Sequence, residues 1–138
     1  ATSGAGKMAL VGLMQTLSIE GLKTDIRVNC LAPTAATRMT EALFPPDMLE
    51  RFVPEAVVPA MLVLAGEDAP NRTTLCAGAG GFEAAHITLT RGEHVGMGPE
   101  APEDLLARLP AVQDRHGETA PGSGAEQGAN EMRLARGG

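Results

Sequence analysis

The chain opens ATSGAGKMALVG, and its first lysine stands where either of two chemistries would want one. Ala1, four residues and then Gly6-Lys7 follows the spacing of a loop whose backbone amides and lysine cradle nucleotide phosphates. Such a loop needs a hydroxyl directly after the lysine to hold magnesium, and Met8 stands there instead. It also needs a strand ahead of it, which these residues do not supply. Both requirements fail, so phosphate cradling is set aside. The second chemistry is that of half a catalytic pair on a helix; the plain alternative is a solvated lysine at a helix start.

Other residues with chemical capacity are more dispersed. His86, His94 and His116 have no ligand spacing and no acid partner in sequence, and His86 falls in a strand-like run. Cys30 and Cys76 both lie in apolar runs, where a thiol behaves as a small hydrophobe, and their spacing matches no zinc pattern. Two reduced thiols fit a cytoplasmic setting. Gly78-Ala79-Gly80-Gly81 follows a strand-like run but opens no helical pattern, so it reads as a turn and not as a cofactor loop. Thr34 to Thr40 is a run rich in small and hydroxyl residues just after another strand-like run. In open α/β sheets, ligands bind at such carboxyl ends.

The elements that must position these residues follow from periodicity. Met8 to Glu20 has apolar residues at 8, 10, 11, 13, 14, 17 and 19, a broad helical stripe stopped by Gly21. Lys23-Thr24-Asp25 is a turn, and IRVNCLAP over 26–33 is a short strand ended by proline. Helix, turn and nearly continuous apolar strand is the rhythm of a parallel sheet. Thr40 to Leu43 starts a short helix that Pro45-Pro46 breaks, and Asp47 caps another through Phe52. Val57 to Ala65 is an apolar helix, Thr73 to Ala77 a strand and Phe82 to Leu89 a further strand.

From about Gly98 the character changes. Pro102 to Leu109 forms one helix, with Glu103 and Asp104 beside its positive end. From Ala120 the sequence APGSGAEQGANEMRLARGG is small, polar and glycine-rich, which predicts a mobile tail. The expected organisation is therefore 1–97 as the folded domain and 98–138 as a helical segment with a flexible tail.

Taken together, GAGKMALVGLMQTLSIEG, IRVNCLAPTAATRMT and the later LCAGAGGF resemble the carboxyl-terminal half of a short-chain dehydrogenase/reductase. The A-P-x-A-x-[ST]-R-M-T stretch is most similar to the branch with the hydroxyacyl-CoA dehydrogenase domains of peroxisomal multifunctional enzymes and their bacterial relatives. The resemblance spans roughly Ser3 to Phe82. It implies an α/β fold, the last strands and helices of a doubly wound Rossmann-like parallel sheet. It further implies an NAD(P)-dependent oxidoreductase acting on an alcohol or ketone, with an acyl-CoA thioester as the favoured small-molecule substrate, and a homo-oligomer.

In that family a tyrosine four residues before the lysine exchanges a proton with the substrate oxygen. The lysine lowers the tyrosine's pKa and bonds the nicotinamide ribose. By resemblance Lys7 is the retained catalytic and cofactor-binding lysine, and the tyrosine position holds Ser3. The chain contains no tyrosine at all. By the same resemblance Pro33, Thr34, Ala35, Ala36 and Thr37 form the edge of the NAD or NADP pocket. The family's usual Pro-Gly and a threonine five after the proline are here Pro33-Thr34 and Arg38, with Thr37 one position earlier. Asn29 is expected to bond neighbouring backbone and not substrate.

The family's dinucleotide loop and catalytic serine belong upstream of this helix. With Ser3 in place of tyrosine, the expectation is a truncated chain that is inactive alone and binds the dinucleotide poorly. The alternative is a non-enzymatic, self-associating or interaction piece, because the helix and the last strand resemble subunit-contact elements. A net charge of −6 with eleven scattered basic residues argues against nucleic acid, which requires clustered Lys and Arg. No run approaches the roughly 18 apolar residues of a membrane span. Three phenylalanines are the only aromatic residues, so the core must be built from Leu, Val, Met and Ala.

Overall fold

The computed structural model describes residues 2–38 and 40–137. Ala1 of the loop-like pattern and Met39 of the R-M-T stretch lie outside them. The chain forms two compact units, 1–86 and 87–138.

The first unit begins with helix α1 (Thr2–Glu20), which starts six residues earlier than the apolar stripe suggests. Its first turns contain Gly4 and Gly6, which lower helix propensity and hide the start from a pattern reading. The residues of the phosphate-loop spacing are therefore helical from Thr2 onward. Gly21 begins a tight turn over Gly21–Thr24, closed by Asp25 at a left-handed φ of 53°. A Cβ on Gly21 would lie 2.5 Å from Ile26 O, so only glycine permits this reversal.

Strand β1 (Cys30–Pro33) is shorter than expected, because residues 26–29 do not join the ladder. Side chains replace it there. Val28 N donates to Asn71 Oδ1 at 2.9 Å, and Thr73 N donates to Asn29 Oδ1 at 2.9 Å. Asn29 Nδ2 also donates to Pro70 O at 2.7 Å, so Asn29 does bond backbone. After β1 come a single turn at Glu41–Leu43, helix α2 (Pro46–Leu49), a turn at Pro54–Val57 and helix α3 (Val58–Ala65). Pro46, Pro54 and Pro59 sit at first-turn positions, where their missing N–H costs nothing.

Strand β2 (Thr74–Gly78) pairs parallel with β1, Cys30 opposite Thr74 and Pro33 opposite Ala77. Strand β3 (Gly81–Ala85) then pairs antiparallel with β2 in the order β1-β2-β3. The expected parallel sheet is thus mixed. The reason is local: Gly78 pairs with Gly81, and Ala79-Gly80 have φ of 51° and 78°, the hairpin turn whose twist matches the strands. The expected strand over 82–89 also ends four residues early.

The core of this unit is small. Met14, Ala60, Ala69 and Ala77 are the buried apolar residues among those described, joined by Ser18, whose hydroxyl donates to Gln15 O at 2.8 Å. Met8, Leu10 and Leu13 on α1 and Met61, Leu62 and Val63 on α3 are more than half exposed. The broad stripe of α1 is therefore buried along only a narrow line within this chain.

The second unit holds helices α4 (Ala101–Val112) and α5 (Ala125–Ala135). Leu89 and Thr119 exchange backbone bonds of 2.9 and 3.0 Å, and Thr90 Oγ1 donates to Val112 O at 2.6 Å. Arg115 holds Glu118 with two bonds of 2.9 and 2.8 Å, and this contact and its charge raise the Arg115 pKa above its ordinary value. The expected mobile tail gives way to α5 over 125–135. Ala, Glu, Gln, Met, Arg and Leu there are good helix formers, and Gln127 Nε2 donates to Glu131 Oε1 at 2.9 Å one turn on.

Candidate functional site

Ser3 and Lys7 both lie on α1, four residues apart, which places them on one face. Both are exposed. Two ties fix the direction of this helix along the sheet. At its carboxyl half, Asn71 Nδ2 donates to Ser18 O at 3.1 Å, and Arg72 Nε donates to Gln15 Oε1. Residues 71 and 72 immediately precede β2. Nearer its middle, the Cys30 thiol reaches Leu10 O at 3.8 Å, at the first residue of β1.

Chain order along α1 is therefore opposite to that of β1 and β2, and residues before Leu10 point toward the strands' carboxyl ends.

After β1, residues 34–37 and 40 are tightly organised. Thr34 N donates to Ala77 O at 2.8 Å, continuing the ladder one residue past β1. Ala36 N donates to Phe52 O at 2.7 Å. Thr37 N donates to Thr40 Oγ1 at 2.8 Å, and Thr40 Oγ1 donates to Ala35 O at 2.9 Å. The Thr37 and Thr40 hydroxyls are 3.3 Å apart. Thr37 is exposed and Thr40 half-buried. Thr40 closes the Thr34 to Thr40 run expected on the ligand side of the sheet, although the cofactor edge implied by the resemblance stops at Thr37.

Phe52 closes one side of this loop, stacked on Phe44 with ring centres 5.4 Å apart. A cleft of about 260 Å³ opens beside it, lined by Thr34, Phe52, Cys76, Gly78 and Glu83 among others. Gly78 is essential to the geometry, since a Cβ there would lie 2.8 Å from Thr34 O and 2.9 Å from the Phe52 ring. Lys7 does not line the cleft. The structure therefore puts Thr34 in the cleft wall, Thr37 on the loop surface, and Ser3 and Lys7 on the exposed first turns of α1. His86, His94 and His116 do not join them, and no group of three or more His, Cys, Asp or Glu among the described residues could hold a metal. Cys30 and Cys76 are free thiols. No described helix is long and apolar enough to cross a membrane.

Thr34 and Thr37 offer exposed hydroxyls after β1, while the amides of Thr34, Ala36 and Thr37 are already bonded within the chain. Nothing at Ser3 matches a phenol, since an aliphatic hydroxyl is much less acidic and the side chain is shorter.

Known proteins resemble the chain in the same way, although no protein-family model matches it. It is 38% identical over 120 residues to a short-chain type dehydrogenase/reductase of Mycobacterium tuberculosis, covering 86% of this chain and 42% of that protein. It is 37% identical over 115 residues to the peroxisomal multifunctional enzyme type 2 of Mus musculus, covering 79% of this chain and 16% of the enzyme. With the peroxisomal hydratase-dehydrogenase-epimerase of Saccharomyces cerevisiae it shares 44% identity over 82 residues, 59% of this chain and 9% of that one. The chain thus spans less than half the length of these curated relatives. The full-length peroxisomal multifunctional enzyme type 2 of Drosophila melanogaster has the same fold over 96% of this chain and 25% of its own, with a TM-score of 0.76 at 24% identity. The 138 residues are a partial Rossmann-like α/β chain related to the short-chain dehydrogenases/reductases and peroxisomal multifunctional enzymes, similar to the carboxyl-terminal part of a short-chain dehydrogenase domain.

Proposed function

We propose that this chain carries the carboxyl-terminal part of an NAD(P)-dependent oxidoreductase site for a hydroxyl or ketone on an acyl thioester, and that these 138 residues alone do not turn over. In this reading residues 1–97 supply the dehydrogenase-like part and 98–138 an added segment. One observation carries it. Ser3 and Lys7 share a face of α1, the helix whose Leu10 carbonyl meets the Cys30 thiol at the start of β1.

Lys7 bonds the ribose hydroxyls of the cofactor, and Pro33 to Thr37 form the edge against its nicotinamide, with Thr34 and Thr37 as hydroxyl partners. When bound, the cofactor supplies hydride acceptance or donation. The chain's own residues must handle the substrate proton, and here the step fails. Lys7 can stabilise an oxyanion next to it, but Ser3 is too short and too weakly acidic to exchange the proton that a phenol would. The free thiols of Cys30 and Cys76 are consistent with a reducing compartment such as the cytoplasm, although the relatives are named peroxisomal. The test is cofactor-linked turnover of a 3-hydroxyacyl thioester by the purified chain, compared with Lys7→Ala.

A second reading has its own observation. Met8, Leu10 and Leu13 leave a large apolar area of α1 uncovered. Apolar area of that kind favours association, so the chain also acts as a self-associating piece, and its solution mass exceeds that of one copy.

A further inference from the structure

We infer that the cleft between Phe52 and Glu83 is a binding site for a small organic cation with an apolar body, an alkyl- or arylammonium. The inference does not rest on the dehydrogenase reading, since Ser3 and Lys7 do not line this cleft.

The strand ladder builds the site. Alternate residues of β2 share a face, so Cys76 and Gly78 look the same way. Glu83 stands opposite Cys76 and Gly81 opposite Gly78, and cross-strand partners share that face. Two paired glycines put no side chains on the floor, and the room they leave opens the cleft. A Cβ on Gly78 would lie 2.9 Å from Phe52 Cε1, so the edge of that ring borders the floor. Phe44 stacks on the same ring. An aromatic edge carries the positive part of the ring's charge distribution. Phe52 therefore holds an apolar body, and recognition of charge falls to Glu83.

Glu83 is the only charged residue among the described residues that line the cleft. No described cation forms an ion pair with it. An uncompensated carboxylate at the edge of an apolar recess sorts ligands by sign, drawing a cation and repelling a carboxylate or phosphate. The volume of about 260 Å³ falls just below the roughly 300–1,000 Å³ of pockets for drug-sized ligands, so the ligand is small.

Cys76 on the cleft floor reports what enters. The purified 138-residue chain is treated with two methanethiosulfonates of similar size, one bearing a trimethylammonium and one a sulfonate. In each case the thiolate attacks the reagent's divalent sulfur, a disulfide forms, and methanesulfinate leaves while the thiol's proton passes to buffer. Mass spectrometry of the Cys76 and Cys30 peptides gives the two rates. The net charge of −6 acts on both thiols, so Cys30 gauges the general field. The preference for the cationic reagent should be about fivefold greater at Cys76 than at Cys30, the scale of one exposed ion pair. Glu83→Gln, at an exposed position, should remove that excess. Benzylammonium in excess should slow labelling of Cys76 and not of Cys30, and benzoate should slow neither. Equal preferences at the two thiols, or an excess that survives Glu83→Gln, overturn the site. Labelling of Cys76 that benzylammonium does not slow overturns it as well. If Cys76 resists both reagents, amide shifts of Gly78 and Gly81 on adding benzylammonium decide. Shifts that Glu83→Gln abolishes support the site, and their absence from the unaltered chain overturns it.

Discussion

Asn29 and Asn71 flank the start of the parallel strand pair, and each bonds the backbone of the other's segment. Asn29 takes the Thr73 amide and donates to Pro70 O, while Asn71 takes the Val28 amide and donates to Ser18 O on α1. Two amide side chains thus join three elements where the ladder has not yet begun. Asn71 is the one of the two that reaches α1, through Ser18 O.

Replacing Asn71 removes both its contacts at once and leaves the Val28 amide without its acceptor. Asn71→Ala should destabilise the first unit by about 1 kcal/mol, the scale of lost hydrogen bonds between half-buried groups. Asn71→Asp keeps the acceptor and loses the donor to Ser18, so its loss should be smaller. Urea denaturation of the three chains checks the order.

Arg72 holds a left-handed φ of 62°, unusual for a residue with a side chain, and its Nε bonds Gln15. Arg72→Ala loses the tie and keeps the strain, whereas Arg72→Gly loses the tie and relieves it. The glycine variant should therefore be the more stable of the two by about 1 kcal/mol. Equal stabilities would mean that the backbone there is unstrained.

Two glycines should respond in opposite directions. A Cβ on Gly12 meets nothing within 4 Å, so Gly12→Ala should stabilise α1 by about 0.5–1 kcal/mol. A Cβ on Gly78 would press on Thr34 O and the Phe52 ring, so Gly78→Ala should cost about 1–3 kcal/mol. Thermal melts of both variants against the parent chain test this directly.

The uncovered face of α1 makes a prediction about mass. Sedimentation should give a mass above that of one chain, and Leu10→Glu with Leu13→Glu should return it to one chain, since both residues are more than half exposed. A single-chain mass for the unaltered protein would remove the self-associating reading.

Much of this was legible in the sequence, and the gaps have physical causes. The apolar stripe to Glu20 and the stop at Gly21 announced α1, but Gly4 and Gly6 concealed its first turns. IRVNCLAP announced a strand, yet its first half is held by Asn and Arg27 side chains and a single backbone bond from Arg72 N to Val28 O, a distinction that composition does not encode. Glycine content made 125–135 look like a tail, although its other residues favour a helix. At the site, the four-residue spacing of Ser3 and Lys7 was plain. Thr40 was legible only as the end of the Thr34 to Thr40 run, because its bonds depend on a loop folding back so that one hydroxyl meets positions 35 and 37.

The central claim is that Lys7 remains in place while the proton-handling group at Ser3 does not. The most direct measurement is the rate of NAD(P)H formation from a 3-hydroxyacyl thioester by the purified 138-residue chain, alongside Lys7→Ala. The account predicts no rate above background for either. Turnover by the unaltered chain that disappears in Lys7→Ala would contradict it.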